Sequence, residues 1–143
     1  MRRATPKMRN FAKRLIAYET RENRSFETKK TLAAFHVCEK LRAHLSTFLG
    51  NAGFRALLAR ALALAVAEVA WLRAMQVKAD GSLEGLDELE AQVDPNEIFE
   101  GCVVLLAQLL GLLVAFIGED LTLRLVREVW PQLSLNNLDV GTR

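Results

Sequence analysis

The sequence is poor in residues that interrupt helices. Its 143 residues include three prolines and eight glycines, and β-branched residues are scarce beside Ala, Leu, Glu, Arg and Lys. This composition favours long helices over an extensive sheet. The content of 51% hydrophobic and 25% charged residues excludes global disorder. A chain of this length suits one core, and we predict one all-α domain over residues 1–143, with 1–6 and 131–143 as loose ends.

The sequence also lacks the motifs of several enzyme classes. It has no G-x-S-x-G nucleophile elbow and no glycine-rich phosphate loop. His36 and His44 lie eight residues apart on one predicted helix, but Lys40 lies between them and would repel a cation. We therefore expect no enzyme activity, no metal site and no cofactor.

Two features of the sequence argue against export from the cytoplasm. The basic N-terminus is not followed by the apolar segment of a signal peptide. Cys38 and Cys102, the two cysteines, lie in apolar helical settings and are expected to be buried thiols rather than a disulfide. Both observations favour a cytoplasmic protein.

Residues 101–118 form a segment with no charge and one polar side chain, Gln108. As a helix the segment spans about 27 Å, barely enough for a hydrocarbon core of about 30 Å. Acids flank it on both sides, whereas membrane spans are usually flanked by basic residues on the cytoplasmic side. We therefore predict the core of a helical bundle, not a membrane contact.

Apolar periodicity and capping residues divide the chain into helices. Asp94, Pro95 and Glu97 give the clearest start signal, a capping box with proline at the first helical position. Gly118 either ends that helix or lies within a longer one that stops at Pro131. The result is a four-helix-bundle-like core with a basic amphipathic N-terminal helix, and the main helices are predicted near 7–22, 26–49, 52–75 and 95–117.

The connector between the last two helices, residues 76–93, is predicted to be short and irregular. An Asp-Gly pair at positions 80–81 predicts a turn, within either a small hairpin or a simple loop.

Small residues recur every four positions at Ala107, Gly111 and Ala115. This spacing predicts a close helix crossing, with the alanine-rich third helix as the natural partner. Two nearly all-apolar helices are hard to cover within one chain of this size, because each helix of a simple bundle keeps a wet face. This excess of apolar helix surface predicts a homo-oligomer or a bound protein partner.

The charge of the chain is divided unevenly. Residues 1–30 have a net charge of +7 and residues 31–143 a net charge of −5. Arg9, Lys13 and Arg14 lie beside the apolar stripe of the first helix and are the candidate partner-binding residues. Their partner is an acidic protein surface, a nucleic acid or an anionic membrane, or else the chain's own acidic stretch from Ala79 to Glu100, which has eight acids and no base.

The segments Glu39-Lys-Leu-Arg, Gly53-Phe-Arg-Ala-Leu-Leu and Glu119-Asp-Leu-Thr-Leu-Arg-Leu resemble those of a group of small, uncharacterised bacterial helical proteins. The resemblance covers most of the chain. It implies a helical fold and assigns no functional residues. The sequence therefore predicts a non-enzymatic protein that acts by protein–protein interaction, as a homo-oligomer or an accessory subunit. The alternative is an accessory protein that binds nucleic acid through the basic first helix.

Overall fold

A computed structural model describes residues 5–22, 30–79, 83–85, 88 and 92–131 of the chain. These residues form an all-α fold, which confirms the predicted fold class. In chain order the elements are α1 (Pro6–Glu22), α2 (Lys30–Glu68), a 3-10 helix (Ala70–Ala74), β1 (Gln76–Val77), β2 (Leu83–Glu84), α3 (Pro95–Ile117) and α4 (Glu119–Val129).

The first helix begins with a cap at Thr5 that was not among the predicted helix starts. The Thr5 hydroxyl accepts a hydrogen bond from the Met8 backbone N–H at 3.1 Å, and Pro6 is the first residue of α1. A capping threonine followed by proline is a common helix start. Residue 6 is therefore helical and does not belong to a loose end; the predicted loose ends at 1–4 and 132–143 lie outside the described residues.

The second and third predicted helices are the two halves of α2; the first residues of the second predicted helix, 26–29, lie outside the described residues. Gly50 separates them with φ 82° and ψ 158°, a backbone conformation that is not helical. The prediction placed the boundary correctly but extended the second half too far, to residue 75. The helix ends at Glu68 because Val69 is extended, with φ −131° and ψ 97°, and residues 70–74 then form a 3-10 turn.

Helix α3 is the centre of the core. The Asp94 carboxylate accepts from the Asn96 backbone N–H at 3.0 Å, which confirms Asp94 as the N-cap, and Pro95 is the first helical residue as predicted. Every residue from 103 to 110 is buried, and α3 packs against α1, α2 and α4. Gly118, with φ 92°, ends α3, so that α4 is a separate helix.

By length and composition alone, two helical segments could cross a membrane, His36–Glu68 and Asn96–Ile117. The second is 61% buried over its most apolar window, as in the core helix of many soluble proteins. In the first, only 22% of the corresponding window is buried. The most apolar window of α2 is therefore much less buried than that of α3.

The connector contains the hairpin that the sequence left as one of two alternatives. β1 and β2 pair antiparallel, with Gln76 opposite Glu84 and Val77 opposite Leu83. The Asp-Gly pair that predicted the turn lies outside the described residues.

We expect Gly50→Ala to lower the free energy of unfolding by about 1–3 kcal/mol, because only glycine adopts this conformation without strain. No described atom lies within 4 Å of a Cβ added at Gly50, so the effect comes from the backbone and not from a clash. Gly111→Ala is the control: it has the same open space but a helical backbone, and should be neutral or stabilise by up to about 1 kcal/mol. Urea unfolding followed by circular dichroism measures both; equal effects of the two substitutions would contradict this account of α2.

Candidate functional site

Glu68, the last residue of α2, is a buried carboxylate that joins three helices. Its side chain is 5% exposed. Oε1 accepts from the Arg9 guanidinium of α1, and Oε2 accepts from the Gln108 amide of α3 at 2.9 Å. A buried carboxylate is costly unless it is paired and hydrogen-bonded, and both conditions are met here. Gln108, the one polar side chain of the apolar segment, therefore has a structural role.

Glu19, near the other end of α1, is a second buried carboxylate that connects helices. We call Glu68 and Glu19, each with its bound side chains, the two joints. The Glu19 side chain is 1% exposed, and its Oε1 accepts from Lys40 Nζ and from Trp130 Nε1, each at 2.9 Å. Trp130 follows α4 directly and is itself buried. This carboxylate therefore connects α1 to α2 and to the end of α4.

Sequence reasoning missed both joints, although the periodicity contains a signal for them. Glu19 follows Leu15 by four residues on the buried stripe of α1, and Glu68 follows Ala65 by three on the buried stripe of α2. An acid at a core position needs a partner, so its place in the stripe predicts an internal ion pair.

An open groove of about 600 Å³ lies between the first half of α2 and α4. Phe48, 52% exposed, lies in its wall, and His44 Nε2 lies 2.8 Å from Glu128 Oε1 beside it. The lining residues are Lys40, Ala43, His44, Thr47, Phe48, Leu125, Glu128 and Val129. Lys40 and His44 already have carboxylate partners, so the groove offers no unpaired cation for an anionic ligand.

The described residues contain no group of three or more His, Cys, Asp or Glu side chains that could hold a metal ion. His36 and His44, the two histidines of the chain, are in different surroundings. His44 pairs with Glu128, while His36 is half-buried on the same helix.

The second half of α2 presents a row of small residues to solvent. Five alanines lie on its exposed side at intervals of three or four residues: Ala52, Ala56, Ala59, Ala63 and Ala67. Arg55 and Arg60 are the exposed charges of this segment. We call these five alanines the alanine face. A solvated helix usually carries mostly polar residues on its outer side, so this surface is unusual for a helix that faces water.

The three predicted partner-binding residues differ in their surroundings. Arg9 pairs with Glu68 within the chain, although its side chain is 35% exposed; its role in binding another molecule stays a prediction. Lys13 and Arg14 are exposed, as the amphipathic pattern predicted. The carboxylate that pairs with Arg9 belongs to α2. The alternative, a contact between the basic N-terminal region and the acidic stretch of this chain or of a neighbour, stays a prediction, since part of that stretch lies outside the described residues.

The predicted close crossing at Ala107, Gly111 and Ala115 is wrong for packing within this chain. Ala107 is buried, but no described atom lies within 4 Å of a Cβ added at Gly111, and Ala115 is exposed. The close approach occurs at Gly101 instead, where an added Cβ would lie 2.3 Å from Cζ2 of Trp71. Spacing alone did not distinguish the two glycines, because the neighbour of Gly101 comes from the 3-10 turn after α2.

Cys38 and Cys102 form no disulfide. Burial raises the pKa of the Cys38 thiol from 9.0 to about 12, and the nearby Cys102 and Glu39 add to this effect. A thiol with so high a pKa is a poor nucleophile at neutral pH, which argues against a catalytic role for Cys38.

Comparisons of the chain with protein-family models, with curated proteins and with solved structures find no match.

We expect Arg9→Met to destabilise the fold by about 2 kcal/mol or more, because the substitution leaves the buried Glu68 carboxylate without its cation. The matched control is Arg124→Met on α4, which removes an exposed arginine and should change stability by less than about 0.5 kcal/mol. Thermal unfolding at low protein concentration compares the two. If both substitutions lower stability equally, Arg9 has no special structural role.

We expect Cys38 to react slowly with iodoacetamide in the folded protein. At pH 8 its thiolate fraction should be on the order of a thousandfold below that of the unfolded chain. The variant Cys102→Ser isolates the Cys38 signal, and the same protein in denaturant is the control. Since folding raises this pKa, its contribution to stability is complete below pH 9 and is lost as the pH rises from 9 towards 12. Equal alkylation rates in the folded and unfolded protein would contradict the burial of this thiol.

Proposed function

We propose that this chain is a non-enzymatic helical protein that acts by protein–protein interaction, as a homo-oligomer or as an accessory subunit. The alanine face of α2 is the observation that supports this proposal. Five of the exposed positions between residues 51 and 67 are alanine, on a helix of which only 22% of the most apolar window is buried. A contiguous exposed apolar surface is typical of an interaction site.

Small side chains suit a contact with another helix. Alanine lets two backbones approach closely, which increases the number of van der Waals contacts. It also loses no side-chain entropy on association, unlike a face built of long side chains. The alanine face therefore allows another helix to approach closely, and its side chains lose no conformational entropy on docking.

Two exposed aromatic side chains add to the uncovered apolar area. Phe116, near the end of α3, is 68% exposed, and Phe48, near the bend of α2, is 52% exposed. Phenylalanine is commonly buried at interfaces and has no polar group that benefits from water. Both positions support the existence of contacts that the isolated chain does not satisfy.

The polar groups of the core, in contrast, do not resemble a catalytic centre. The carboxylates of Glu19 and Glu68 are bound to basic and amide side chains and hold helices together. The groove beside His44 is open, and its two basic side chains are already paired with carboxylates. These arrangements favour a binding protein over an enzyme.

A second candidate is an accessory protein that binds nucleic acid through α1. Its support is the exposure of Lys13 and Arg14 beside Lys7 on one helix. Arg9, however, pairs with Glu68, so that one of the three positive charges on which this hypothesis depended already has an acidic partner within the chain. We therefore place it second.

We expect Ala63→Glu to weaken self-association, because it puts a charge in the middle of the alanine face. Ala74→Glu is the matched control: it introduces the same charge at an exposed alanine of the 3-10 helix, outside this face and not among the residues that line the groove. Light scattering coupled to gel filtration gives the mass of each variant, and circular dichroism verifies that both are folded. A wild-type mass for Ala63→Glu would contradict the proposal, as would binding of the wild-type protein to lipid vesicles in place of self-association.

A further inference from the structure

The exposed side of α1 carries positive charges that have no acidic partner among the described residues. Lys7, Lys13 and Arg14 are all exposed, whereas the opposite side of α1 is buried in the core. The ion pairs of the described chain use other basic residues: Arg9, Lys40, Arg42 and His44. We call Lys7, Lys13 and Arg14 the basic face.

The segment that leads into α3 and the first two turns of α3 carry exposed acids. Glu84, Glu88, Asp94, Glu97 and Glu100 all face solvent, and no ion pair of the described residues involves them. The stretch from Ala79 to Glu100 contains no lysine or arginine. We call the five acids the acidic face.

The basic face lies on α1, and two residues of the acidic face, Glu97 and Glu100, lie on α3. These two helices meet at the end of α2. Glu68 binds Arg9 of α1 and Gln108 of α3 at the same time, and Gly101 of α3 packs against Trp71, three residues further along. Helix α1 also packs directly against α3. The basic face and the α3 part of the acidic face therefore lie on adjoining helices of one molecule, and none of the ion pairs of the described residues joins the two faces.

We infer that the partner of this chain is a second copy of itself, docked so that the basic face of each copy opposes the acidic face of the other. A two-fold contact has this property: when one surface of the first copy meets another surface of the second, the reverse contact forms as well. Such a dimer neutralises both faces at once, whereas an acidic or a basic partner would neutralise only one. Charge complementarity of this kind sets orientation and association rate. This inference rests on the proposed function and specifies its partner.

The test uses charge reversal in the full-length protein. One variant carries Lys13→Glu and Arg14→Glu, and the other carries Glu84→Lys and Glu100→Lys. All four positions are exposed and lie outside the first turn of α3, so the fold should tolerate the changes. We expect the dimer dissociation constant of each variant to rise by about tenfold or more, because like charges then oppose each other. Sedimentation velocity at low salt gives these constants, and circular dichroism verifies the fold.

Combining the two sets of substitutions, by mixing the variants or within one chain, makes the test specific. An equimolar mixture of the two variants should form heterodimers, because both of its contacts again pair opposite charges. A single chain with all four substitutions should recover self-association for the same reason. Raising the salt concentration should weaken the wild-type dimer, since screening acts on exposed charges.

The outcomes separate this inference from the proposed function. Unchanged association of both charge-reversed variants, together with weakened association of Ala63→Glu, would overturn the charge-paired dimer and keep the protein-binding proposal. Failure of the mixture and of the fourfold variant to associate would overturn it as well. Wild-type association after Lys13→Glu and Arg14→Glu, combined with loss of binding to duplex DNA, would overturn it in favour of the nucleic-acid candidate.

Discussion

The carboxylate of Glu68 is the constraint on which the arrangement of the helices depends. Almost removed from water, it has to keep both Arg9 and Gln108, and this brings α1, α2 and α3 together at one point. Glu19 forms the second joint, with Lys40. Between the joints α1 advances by ten residues, about 15 Å, whereas the matching part of α2 would advance by about 42 Å if it were straight. Helix α2 therefore has to bend between its two joints, and it does so at Gly50.

These joints also determine which surfaces remain for other molecules. Because Arg9 is bound within the chain, the positive charge that α1 offers to a partner comes mainly from its outer side, where Lys13 and Arg14 lie. Because α2 turns its large side chains towards α1 and α3, its second half presents alanines to solvent. The same packing that satisfies the core thus leaves one apolar surface and two oppositely charged surfaces uncovered, and we attribute the proposed association to them.

The helical elements could be predicted well from sequence, but the contacts between them could not. Asp94 and Pro95 located the start of α3 because capping depends on neighbouring residues alone. Glu19 and Glu68 were treated as ordinary polar positions, because their partners lie 21 or more residues away in the chain. Gly101 and Gly111 lie in the same apolar helix, yet only Gly101 has a close neighbour, Trp71, and periodicity gives no information about that neighbour. The charged faces could be anticipated from the sequence; the use of Arg9 within the fold required the structure.

Sedimentation equilibrium of the wild-type protein at low salt, over a range of micromolar loading concentrations, tests the central claim of self-association most directly. The chain has a mass of 16.0 kDa. The account predicts a mass that rises with concentration towards twice this value, as expected for a reversible two-fold dimer. A mass of 16.0 kDa at every concentration would contradict it.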